Sequence, residues 1–241
     1  MSDETILKFL DPANVDDVLV RGTVRISTLS YFRSLEGSPG IGDPDEATTI
    51  VDATGAVLTD KTEQGAFEPW RPEGHTGMIH TRTGGKVTMG AGVRFAYPHS
   101  DRFIFCASKG ERSKLIQAMC RDAEKPYAAC VRLIVALDLF AHRLFWKGKV
   151  VEMDDKPVRE FFSRVSSGSV SYDAVERHYS QGQAEQPSPF RKHPSFSHQS
   201  EVRVVLTPSK ELSYNRLTVK LPRPEKCFAE EFREIQDEET S

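Results

Sequence analysis

Apolar residues recur with two different periods along the first part of the chain. Thr5 to Leu10 reads as a short strand, and Asp11-Pro12 then supplies an N-cap with proline at the first helical position. Val15, Val18 and Leu19 follow at helical spacing, with Gly22 placed to close that helix. Val24-Arg25-Ile26-Ser27 alternates apolar and polar residues, which predicts a strand with one buried face. Thr28 to Glu36 has a capping residue ahead of an amphipathic turn or two, so a short helix is expected. Ser38 to Glu46 is dense in turn formers, a hairpin is predicted around Thr54-Gly55, and residues 60 to 85 read as an exposed excursion.

Strand character returns at Lys86 to Met89, at Val93 to Ala96 and most clearly at Arg102 to Ser108. A helix is predicted from Glu111 to Cys120, and Cys130 to Leu137 reads as a fully buried strand. Further strands are expected at Lys149 to Met153, Glu201 to Leu206 and Leu217 to Leu221. The stretch from Ser166 to Ser188 is polar, with the look of a mobile segment. From Glu230 onwards the tail reads as a surface helix that frays. The order of elements lacks regular βαβ alternation and no repeat is visible. The prediction is an α+β fold with a mixed, largely antiparallel sheet and flanking helices. It is read as one domain over 1–229 with an acidic tail at 230–241, and the strands near Lys8, Val24 and Glu201 share its core.

Composition narrows the functions available. The 241 residues carry 32 basic and 35 acidic side chains, a formal charge of −3, so no global basic field exists to hold a long nucleic-acid backbone. Phe190 to His193 and Arg216 to Arg223 are the local basic stretches, readable as a groove or as solvated surface charge. The four cysteines form no C-x-x-C pair and the seven histidines are scattered, which argues against structural zinc. Neither a secretory leader nor a membrane-length apolar run is present, so a cytoplasmic protein with free thiols and no membrane partner is expected.

The nucleotide-loop, dinucleotide, zinc-peptidase and serine-hydrolase motifs are all absent. Three blocks nevertheless resemble a group of bacterial and phage proteins: Lys8-Phe9-Leu10 with Val24 to Phe32, Phe103 to Ser108, and Phe196 to Arg203. That group is distantly similar to the ADP-ribosyltransferase superfamily, which includes toxins and phage-defence effectors acting on protein or nucleic acid. The resemblance implies NAD as substrate, no metal, a macromolecular acceptor and a possible neutralising antitoxin partner. It places Lys8 where the superfamily has Arg or His on its first strand. Ser27, Thr28 and Ser30 stand for a Ser-Thr-Ser element interrupted by Leu29, with Cys106-Ala107-Ser108 as a rival. Gln199-Ser200-Glu201 matches a Glu preceded two residues earlier by Gln or Glu.

Glu201 also has a physical case. Cleavage between nicotinamide and ribose passes through an oxocarbenium-like state that a fixed carboxylate stabilises. If the stretch is extended, Gln199 and Glu201 point into one cleft, and Gln199 orients the acceptor. Glu201→Gln would then remove charge and little packing. Tyr31 and Phe32 are candidates for a ring against nicotinamide, with Arg25 or Arg33 near the pyrophosphate. The competing reading makes Glu201 and Arg203 the polar face of a strand whose Val202, Val204 and Leu206 enter the core.

Two rivals stand beside the enzyme. A non-catalytic module that binds protein or nucleic acid allows Lys8, Ser27 and Glu201 to lie apart, whereas the enzyme needs them around one cleft. A metal-dependent nucleic-acid-processing enzyme would use Asp43, Asp45 and Glu46, although a solvated turn also explains those acids.

Overall fold

The computed structural model describes residues 4–35, 45–62, 65–66, 68–75, 79, 85–123, 126–174 and 176–233. Contacts group the chain into two compact units, one formed by Met1–Pro44, Asp101–Ser171 and Ser195–Ser241, the other by Asp45–Ser100 and Tyr172–Pro194. The protein is of the α+β class, with a large, mostly antiparallel sheet and few, short helices.

The first unit is built on a 10-stranded sheet whose centre is the strand Phe103–Glu111. Phe103, Phe105 and Ala107 enter the main core with Val202, Val204 and Leu206 of the neighbouring Glu201–Pro208 strand. Val24, Ile26, Leu217 and Val219 join the same core from the strands Thr23–Thr28 and Arg216–Lys220. The strands carrying Lys8, Val24 and Glu201 therefore belong to one sheet. Its other face is covered as well: Leu7, Phe9 and Cys130 pack under Leu115 and Met119 from the helical segment that follows the central strand.

Several local expectations are corrected. The strand expected over Cys130 to Leu137 ends at Leu133, and the helix Leu137–Lys147 follows where no element was expected, burying Phe140, Ala141 and Leu144 at helical spacing. The serine-rich Phe162–Ser169 is a strand paired with Glu201–Pro208, so its order comes from backbone pairing rather than apolar side chains. Residues 230–233 continue the strand Phe228–Arg233 instead of forming a surface helix. A register shift between Glu230 and Phe232 sends Phe228 into the main core and Phe232 against the opposite cluster. Gly22 comes after the helix Val15–Leu19 and its C-cap Val20 rather than directly closing it. Its φ of 70° turns the chain into the next strand, where a Cβ would lie 2.5 Å from the Leu221 carbonyl oxygen.

The second unit has two three-stranded sheets around Val51, Leu58, Trp70, Phe95 and Tyr97. Thr54-Gly55 makes a turn but no hairpin, because Thr48–Asp52 pairs with Arg94–Pro98 while Val57–Thr62 pairs with Lys86–Thr88. The excursion from 60 to 85 contains the buried Glu68 and Trp70, so that part is core. Glu68 accepts hydrogen bonds from Tyr97 Oη at 3.2 Å and the Ile79 amide at 3.1 Å.

Candidate functional site

The central strand creates the site because its neighbours divide along one edge. Glu201–Pro208 pairs with it from Phe103 through Ser108, which occupies one edge. The opposite edge is shared: Glu4 to Leu7 pair with Ser108 to Glu111, whereas Ser27 and Thr28 pair with Ile104 and Phe103. Between these pairings the first strand leaves to follow Ala129–Leu133, and Thr23–Thr28 runs beside Arg216–Lys220. The result is a fork with Lys8 to Leu10 on one prong and Thr23 to Ser27 on the other.

A cleft of about 460 Å³ occupies this fork, with Ile104, Phe105 and Cys106 among its lining residues. That volume is in the range of small-ligand sites. Lys8, Arg25, Ser27, Tyr31 and Phe32 all line it, so the structure gathers these sequence-derived candidates in one place. Arg216, the first residue of a basic stretch readable as a groove or as solvated charge, lines the cleft beside Thr218. Its register opposite Ser27 is the signal that sequence could not supply. The Arg216 guanidinium lies 5.1 Å from the Tyr31 ring centroid and donates to Tyr31 Oη at 3.3 Å. Lys8 Nζ lies 5.3 Å from the Phe105 ring centroid. The walls thus combine cations with rings, suited to an anion bearing planar groups. Asp11 and Asp17 are the acids in the lining.

Thr28 has a different place. It is absent from the lining and caps the helix Leu29–Ser34, accepting from the Tyr31 amide at 3.1 Å. Ser30 donates its amide and hydroxyl to Asp101 at 2.8 and 2.5 Å. Thr28 and Ser30 therefore fix the start of the helix that carries Tyr31 and Phe32 to the cleft.

Glu201 lies across the central strand and does not line the cleft. It is buried, 6% exposed, and accepts from Arg203 Nε at 2.5 Å, with Arg203 1% exposed. Cys106, opposite Arg203 in register, reaches the cleft lining and is hydrogen-bonded to Glu201. Burial pushes the Cys106 thiol far up, and the Glu201 carboxylate adds to the shift, so this sulfur stays protonated. Glu201 is thus one layer behind Cys106, and its replacement would disturb a buried ion pair as well as any chemistry. Gln199 does not share a strand face with it. Gln199 ends the 3₁₀ segment Pro194–Gln199, and Ser200 at φ 45° turns the chain before the strand begins.

The remaining candidates lie elsewhere. In the second unit Glu46 is buried and forms an ion pair with Lys192 at 3.7 Å, which removes Lys192 from any solvated basic surface. Asp43 lies outside the described residues. Among the described residues, no group of three or more His, Cys, Asp or Glu is placed to hold a metal ion, and no helix is long and apolar enough to cross a membrane.

Comparison of the chain with protein-family models, curated proteins and solved structures finds no match. The case for a function rests on the residues and their geometry.

Proposed function

We propose that the fork cleft binds NAD and that the protein is an ADP-ribosyltransferase-like enzyme, in fold and activity, passing ADP-ribose to a protein or nucleic-acid acceptor. The single observation that carries this reading is the convergence of Lys8, Arg25, Ser27, Tyr31 and Phe32 on one cleft. Arg25 and Arg216 are suited to the pyrophosphate, and Tyr31 and Phe32 to a planar ring. Transfer breaks the bond between nicotinamide and the ribose anomeric carbon, nicotinamide leaves with the bonding electrons, and the acceptor nucleophile bonds to that carbon and loses its proton. In this reading the charge of Glu201 acts on the cationic ribosyl centre from behind Cys106, and Gln199 orients the acceptor from the 3₁₀ segment before the strand rather than from a face shared with Glu201. A bacterial or phage toxin or defence effector in the cytoplasm, held in check by a neutralising partner, is the setting that fits such an activity.

A second reading is favoured by one specific observation. Glu201 is ion-paired with Arg203 behind Cys106, an arrangement that serves a binding module without catalysis. Titration calorimetry with NAD, followed by nicotinamide release on cell lysate, separates the two. The enzyme reading expects binding weakened about tenfold or more in Arg25→Ala and Arg216→Ala, and turnover lost in Glu201→Gln. Absence of both NAD binding and nicotinamide release rejects the enzyme and selects the module, which holds protein or nucleic acid instead.

A further inference from the structure

The helix Leu137–Lys147 and the loop around Pro222 enclose a second cavity of about 510 Å³ in the first unit. Its lining holds the cations Arg143, Lys147, Arg223 and Lys226 together with His142, and no acidic residue lines it among the described residues. Several cations elsewhere in this unit are matched with acids: Arg112 and Arg132 share Glu231, Arg233 meets Asp16, and Lys109 meets Glu4. None of the five residues at this cavity forms an ion pair with a carboxylate among the described residues. Arg143 is instead held by the backbone, donating to the Lys226 carbonyl at 2.6 Å, which orients its guanidinium without neutralising it. Lys149 and Lys220, adjacent in sequence to the two cavity walls, are directly opposite each other on paired strands. Like charges so placed work against the fold unless an anion is bound.

An aromatic surface continues from the same helix. Trp146 is 46% exposed, and its ring centroid is 6.1 Å from that of His142, one helical turn earlier. The Arg159 guanidinium lies 5.8 Å from the Trp146 ring. Unmatched cations beside an exposed indole are the combination that follows a phosphate backbone and stacks unpaired bases. A duplex keeps its base faces stacked internally and would leave the ring unused.

We propose that this face binds single-stranded nucleic acid, with the backbone in the basic cavity and a base on Trp146. The inference does not depend on what the fork cleft binds, and it names a surface on which a nucleic-acid acceptor would be held. The test is fluorescence anisotropy of a labelled single-stranded oligonucleotide across a salt series in the absence of NAD, with Trp146 emission recorded in parallel. Binding should weaken steeply with salt and quench Trp146. The triple variant Lys147→Ala, Arg223→Ala, Lys226→Ala should bind about tenfold or more weakly with a shallower salt slope. Trp146→Ala should weaken binding about fivefold or more and keep the slope. All these side chains except Arg143 are exposed, so circular dichroism should report an unchanged fold. Equal affinity in the triple variant overturns the proposal. So does preference for duplex DNA, for vesicles containing phosphatidylserine, or full competition by inorganic phosphate at concentrations comparable to the oligonucleotide.

Discussion

Glu201→Gln is the most informative perturbation, because its cost can be worked out from the pair it disturbs. Glu201 and Arg203 are 6% and 1% exposed, so water does little to screen them. Removing one partner of a buried ion pair costs about 3–5 kcal/mol. The glutamine amide retains a carbonyl acceptor for Arg203 Nε, which returns about 1 kcal/mol and leaves a net loss of roughly 2–4 kcal/mol. Urea unfolding followed by circular dichroism should show the unfolding free energy falling by that amount, as a lower midpoint at unchanged slope. Arg203→Met should also destabilise, and the double variant should be less damaged than the sum, with a coupling of about 1–3 kcal/mol. A shift below about 0.5 kcal/mol for Glu201→Gln, the level of a surface change, refutes the buried-pair account, as do strictly additive effects. The consequence reaches the activity test: loss of nicotinamide release in Glu201→Gln counts as chemistry only after the folded fraction is measured.

Three further outcomes are expected. Cys106 and Cys130, with thiols raised chiefly by burial, the latter to about 12, should react with iodoacetamide at mildly alkaline pH far more slowly in the native protein than in urea, read by mass spectrometry. Tyr97 is held neutral by burial and by the nearby Glu68 carboxylate, so its folded pKa lies above the unfolded value near 10. The stability it contributes is complete below about pH 10 and is lost as pH rises towards the folded value, and Tyr97→Phe should abolish this alkaline fall in the urea midpoint. Gly22→Ala should destabilise the first unit by about 1–3 kcal/mol in the same urea assay, because it places a Cβ at φ 70° against the Leu221 carbonyl.

Much of the sheet was legible because its strands either alternate or run apolar. Val24 to Ser27 announces its buried face by period two and Arg102 to Ser108 by a continuous apolar run, and Val24, Ile26, Phe103, Phe105 and Ala107 enter the main core. The same period misleads at Glu201 and Arg203. It separates two faces but cannot say that both are covered, and here Leu7 and Ser108 lie on the Glu201 side in register. Phe162–Ser169 shows no apolar alternation, so only its pairing with Glu201–Pro208 identifies it. The helix Leu137–Lys147 did carry a signal, since Phe140, Ala141 and Leu144 have helical spacing, but the apolar run before it obscured where the strand ended. Lys8 and Ser27 were found by resemblance, and Arg25, Tyr31 and Phe32 as side chains suited to a pyrophosphate and a planar ring. Their shared cleft depends on the fork, which no local pattern encodes.

The fork also accounts for how such a cleft can be stable without a ligand. A gap within a sheet would strand backbone donors and acceptors if each prong ended in solvent or apolar surroundings. Here the first strand is paired along Ile6 to Leu10 with Ala129–Leu133, and Thr23 to Ser27 are paired with Arg216–Lys220, so both walls keep a ladder partner. The walls are therefore fixed by pairing, and the side chains they carry are positioned before any ligand arrives. Preorganisation of this kind favours affinity under either reading, because little conformational entropy remains to be lost on binding. Catalysis makes a further demand, that negative charge be felt at the ribosyl centre more strongly than in the ground state. With Arg203 beside Glu201 and a protonated Cys106 between Glu201 and the cleft, that demand falls on this single layer. The difference between an NAD-consuming enzyme and a non-catalytic binding module thus lies at Cys106, Glu201 and Arg203, while the cationic and aromatic walls are common to both.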